Sequence, residues 1–227
     1  MTNSPSIPGA IQLDHILQQA QFGLIDNLEW LDASFGRAQR LMKKTPEGKI
    51  VKFPAVFCGN WRGRGDNDYI EVSPDSKIGN FSYFEIDDPQ TIESAPWARS
   101  VKTPFSLVMW FDLADIYDTP SNRNIEYIKA RALHILNGGT GWHLTDGRIA
   151  INKVYERAEN IYRGYTLSEI DNQFLMHPYG GLRFEGEIDY TEMCFNGPIP
   201  PELTWYLRTK DGLYVITSDG KKVLINH

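Results

Sequence analysis

The 227-residue sequence predicts an α+β fold: a mixed, mainly antiparallel sheet flanked by helices, with a C-terminal β-hairpin extension. Three observations carry that expectation. In residues 182–190, Leu182, Phe184, Ile188 and Tyr190 alternate with Arg183, Glu185, Glu187 and Asp189, the period-two signature of a strand with one packed and one wet face. Residues 105–113 are almost continuously apolar, as in a central strand covered on both faces. Elsewhere apolar residues recur every three or four positions, the helical period.

Taken in order, residues 1–9 are rich in Ser, Pro and Gly and predict a loose N-terminal arm. Leu13, Ile16, Leu17 and Ala20 predict a first helix, which Gly23 is expected to interrupt. Leu24, Leu28, Leu31, Phe35, Ala38 and Met42 then continue in steps of four and three, predicting a second helix of about five turns. Asp26 or Asn27 suits its start, Lys43 and Lys44 suit its negative end, and Pro46 with Gly48 stops it. Residues 50–57 read as a strand in which Pro54 marks an edge or a start. Residues 59–68 form a loop rich in glycine and charge. Short strands are expected at 69–72 and 81–86, and a connection containing Pro89 and Pro96 at 87–101. The 105–113 strand follows, then a helix at 124–137 with Asn122 as its cap. Ile125, Ile128, Ala132, Ile135 and Leu136 form its apolar face, and Asn137-Gly138-Gly139 forms its exit. Residues 149–167 and 170–176 fit helix or strand equally.

The alternating strand at 182–190 closes the main domain. Asn196-Gly197-Pro198-Ile199-Pro200-Pro201 cannot continue a sheet, so the chain divides into an arm at 1–9, a domain at 10–196 and an extension at 197–227. Within the extension, Lys210-Asp211-Gly212 and Ser218-Asp219-Gly220 separate three short apolar runs, and Asp-Gly between such runs is a hairpin signal.

Composition excludes several classes. At 41% apolar residues the chain has material for a core and is not compositionally disordered. No apolar run approaches the roughly 20 residues of a membrane helix, and residues 1–8 lack an export signal. The net charge of −6 argues against a basic nucleic-acid clamp. Cys58 and Cys194 are too few for a disulfide framework and have no metal-type spacing.

The candidate chemistry is sparse. The histidines at 15, 134, 143, 177 and 227 are scattered and predict no metal cage. Asp112, Asp115 and Asp118, and Asp87, Asp88 and Glu93, cluster near strand ends. Such carboxylates bind cations or do acid/base work, and also simply mark turns. Asn137-Gly138-Gly139-Thr140-Gly141 follows a helix and lacks the Lys-Ser/Thr ending of a phosphate loop. No Ser/His/Asp or Cys/His order stands out, so no catalytic, cofactor-binding or metal-binding residue is assigned. Trp61, Arg62 and Arg64 sit together in a glycine loop, and their residue types are those of interface hot spots. Leu203, Trp205, Tyr206 and Tyr214 supply apolar surface to an extension too short to hold its own core. These seven are the expected interface residues. Two other readings stand beside assembly: a metal-dependent, nuclease-like enzyme centred on Asp112 and Asp115, and a monomeric binding module presenting residues 61–64.

The order of elements resembles a phage family. The opening helix, the strand carrying Phe53-Pro54-Ala55, the long apolar strand at 105–113, the helix at 124–137 and the late alternating strand are together similar to tail terminator and head-tail completion proteins of tailed phages. The run from 174 to 186 (FLMHPYGGLRFEG) looks like ring proteins of crAss-like gut phages. The likeness covers about residues 10–195. The resemblance implies a virion structural protein made in the host cytoplasm, with no cofactor. It would form a homo-oligomeric ring beside portal, connector and tail proteins, with DNA passing through without sequence-specific binding. On that reading the charged side of the 182–190 strand is exposed at Arg183. Glu185, Glu187 and Asp189 either face solvent or line an acidic channel.

Overall fold

In the first helix, Leu13, Ile16, Leu17, Ala20 and Leu24 occupy one buried stripe and form helix α1, Gln12–Asn27. Gly23 does not interrupt it; the residue is buried inside the helix, where one glycine is tolerated at about 1 kcal/mol relative to alanine. The computed structural model describes residues 5, 10, 12–58, 69–74, 78–94, 98–137, 144, 147–166 and 177–193.

The expected second helix is instead a turn followed by strand β1, Ala33–Lys44. Leu28 and Leu31 are buried in the turn, and Phe35 and Ala38 are buried in the strand. The reason is a bulge: the pairing register of β1 shifts between Ser34 and Arg37. One extra residue breaks the alternation, so Phe35 and Ala38 reach the same core although three positions apart. That spacing imitates a helix.

Strand β2 (Ile50–Phe57) returns antiparallel to β1 through a turn at residues 45–49, with Gly48 at φ +87°. Pro54 suits its place. Its carbonyl accepts from Val72 N on the outer side of β2, so its missing N–H also faces outward, past the end of β3 (Tyr69–Glu71). Strands β4 (Phe81–Ile86), β5 (Thr91–Ser94) and β6 (Ala98–Asp112) follow. The connection expected at 87–101 therefore contains a whole strand and the start of another. The one-turn helix α2 (Leu113–Ile116) and a 3₁₀ turn at Pro120–Asn122 lead into helix α3, Ile125–Leu136. Its cap is Asn124, whose Oδ1 accepts from Glu126 N at 2.8 Å, rather than Asn122. Strand β7 (Gly147–Tyr155) and the short helix α4 (Ala158–Ile161) occupy the ambiguous region. Strand β8 (Tyr179–Met193) contains the alternating run.

The sheet runs β3-β2-β1-β4-β6-β8-β7, with β5 beside the first half of β6. Among the described strands every pairing is antiparallel except β1 with β4, so the fold is α+β with a mainly antiparallel sheet. Helices α1 and α3 cover one face through Phe84, Phe105, Leu107, Met109, Leu182 and Phe184. The other face carries a second core in which Phe81, Tyr83, Val108 and Trp110 meet Phe35, Val56, Ile161 and Tyr162. The second half of β6, residues 105–111, is nearly all apolar because it serves both. Residues 170–176, the loop at 59–68 and the extension beyond 196 lie outside the described residues.

Candidate functional site

On the second face, alternation brings Glu85 of β4, Ser106 of β6 and Arg183 of β8 to one side. Glu85 pairs across to Ser106, and Val108 to Arg183. Arg183, expected at the surface, is 1% exposed. Its Nη2 lies 2.8 Å from a Glu85 carboxylate oxygen and donates to Ser106 Oγ at 2.8 Å. Its Nε donates to Glu185 at 3.2 Å and its Nη1 to the Ile161 carbonyl at 3.3 Å. Ser106 in turn donates to Asp87 at 2.8 Å, and Arg163 forms an ion pair with Glu185. A buried guanidinium is tolerated only when charges and acceptors surround it in this way. Burial works against the Arg183 charge, but Glu85, Asp87 and Glu185 outweigh it and hold the pKa above its ordinary value.

Three phenols share this pocket. Burial, followed by the Glu85 charge, pushes Tyr83, Tyr162 and Tyr165 upward. The Tyr83 and Tyr162 hydroxyls have no hydrogen-bond partner among the described residues. Cys58 is buried on the same face.

Beside the cluster an open cleft of about 370 Å³ is lined by Asp87, Asp88, Pro104, Lys153, Arg163, Glu185 and Glu187. Its shape depends on a bulge in β7 between Ile151 and Lys153 and on Gly186, where a Cβ would come within 1.9 Å of the Ala150 carbonyl oxygen. At the other end of the sheet the β1–β2 hairpin extends past the core, with Met42 66% and Ile50 63% exposed. Arg40 stacks over Tyr165, 5.3 Å from the ring centre, and Lys43 pairs with Glu71 at 2.5 Å.

Of the residues expected to carry function, Trp61, Arg62, Arg64, Leu203, Trp205, Tyr206 and Tyr214 all lie outside the described residues. The carboxylates near 112 do not converge. Asp112 caps α2, accepting from Ala114 N at 2.8 Å, while Asp115 and Asp118 are exposed. Burial, then Asp112 and Asp32, raise the Asp115 pKa. Among the described residues no group of three or more His, Cys, Asp or Glu side chains is placed to hold a metal ion. Asp87 and Asp88 do meet Glu185 and Glu187 in the cleft. Glu85 and Ser106 were missed, and their signal was a polar residue at an inward position of an apolar strand.

No described helix is long and apolar enough to cross a membrane. Comparison with protein-family models and with curated proteins finds no match to this chain.

Proposed function

We propose that the protein is a virion structural subunit, one copy of a homo-oligomeric ring of the head-to-tail connector or tail-completion type through which DNA passes. The observation that carries the reading is that the sheet outgrows its core at two places. The outer half of the β1–β2 hairpin exposes Leu41, Met42 and Ile50. Strand β5 is exposed along its whole length, including Ile92 at 55%, where it extends the β6–β8 ladder. Ordered strands that present apolar side chains away from a core suit contact with other subunits. The resemblance of the sequence to tail terminator and head-tail completion proteins supports the same reading, and the net charge of −6 suits a passage that does not hold DNA.

Mass photometry and electron microscopy of the purified protein are expected to reveal closed rings, and mass spectrometry of purified particles is expected to find the chain in them. A protein that stays monomeric at every concentration and is missing from the particles would overturn the proposal.

A further inference from the structure

The β1–β2 hairpin carries charge opposite to that of the chain. Residues 37–52 hold Arg37, Arg40, Lys43, Lys44, Lys49 and Lys52 against Glu47 alone, within a chain of net charge −6. Strand pairing sorts these side chains. Met42 lies opposite Lys52 and Lys44 opposite Ile50, so these four share one face of the hairpin, and all four are exposed. Lys43 is on the other face and is already held by Glu71.

A cationic face with two exposed apolar side chains fits a concave acidic surface with an apolar wall. The cleft beside Arg183 is such a surface. Glu185 and Arg163 neutralise each other there and Asp87 is engaged by Ser106 and Arg183, leaving Asp88 and Glu187 to outnumber Lys153, with Pro104 as the apolar wall. Nucleic acid would satisfy the lysines but not Met42 and Ile50, which favours a protein surface as the occupant.

The two surfaces lie on opposite halves of the sheet. Strand β2 is four positions from β8, roughly 19 Å at the usual strand spacing. A contact between two different surfaces of one chain is heterologous, and repeated by rotation it closes into a ring. We infer that the β1–β2 hairpin of one copy docks into the Asp87–Asp88–Glu187 cleft of the next. This contact rests on the ring-subunit reading and names the surfaces that would join the ring.

A charge swap in the full chain tests it. Lys44→Glu with Lys52→Glu makes the hairpin acidic; Asp88→Lys with Glu187→Lys makes the cleft basic. All four positions are exposed, and circular dichroism verifies that each variant folds. Each double variant alone is expected to associate at least about tenfold more weakly than the wild type in sedimentation velocity. Mixing the two double variants, or combining all four changes in one chain, is expected to restore association. A wild type that is monomeric throughout overturns both this contact and the ring reading. A wild type that oligomerises but ignores the charge reversals, or is not rescued by mixing, overturns the contact and leaves the ring reading standing. If Lys44→Glu with Lys52→Glu abolishes binding to duplex DNA while assembly is unchanged, the hairpin is a nucleic-acid surface and the contact is likewise overturned.

Discussion

Removing the Arg183 side chain would leave the Glu85 carboxylate charged and buried with its cation gone. Arg183→Met is therefore expected to cost about 3–5 kcal/mol in denaturant unfolding, and Arg183→Met with Glu85→Met to regain most of it. A double variant no more stable than the single one would show that the pair is not the source of the cost. The phenols around Glu85 give a pH dependence with a definite sign. Tyr83, Tyr162 and Tyr165 are held above the ordinary phenol value of 10, so the folded state binds their protons more tightly than the unfolded state does. Their contribution is intact below pH 10 and is lost as the pH rises beyond it. Absorbance at the phenolate band is expected to show these tyrosines ionising together with alkaline unfolding, not before it. None of this cluster was legible in the alternation of residues 182–190. Period two assigns Arg183 to a face, but the cover over that face comes from Ile161 and Tyr162, some twenty residues earlier in the chain.

At the scale of elements, Gly186 and Asn124 are the positions where one atom decides a boundary. Gly186→Ala would drive a methyl group into the Ala150 carbonyl and separate β7 from β8. A loss of about 1–3 kcal/mol is expected, with faster amide exchange concentrated in β7. Asn124→Ala removes the cap that accepts from Glu126 N and is expected to cost about 1 kcal/mol in thermal or denaturant unfolding. Strands β2 and β4 were legible to the residue, since Gly48 and the Asp87–Asp88 pair mark their limits. Strand β1 was not. Its bulge gives Phe35 and Ala38 the spacing of a helix, and sequence periodicity alone cannot tell one origin from the other. Strand β5 was missed for a different reason. All four of its residues are exposed, so no buried face left a pattern to read.

For the whole molecule, charge is distributed unevenly: a basic hairpin at one end of the sheet and a carboxylate-lined cleft towards the other. If copies join through these surfaces, raising salt from about 0.05 to 0.5 M should shift the distribution towards smaller species in sedimentation velocity, because exposed charges are screened over a few ångströms at the higher value. The α+β class was legible because helical and strand periods both appear; the cleft was not, because it needs β6, β7 and β8 side by side. Their order has one more effect. Strand β8 lies between β6 and β7 and is the only described strand paired to β7, yet it is translated after both. A nascent chain short of residue 193 therefore holds β6 with a bare edge and β7 with nothing to bind. If the protein assembles from several copies, those growing on the same messenger would display these open edges to one another, and sheet completion and first encounter would fall in the same interval of synthesis.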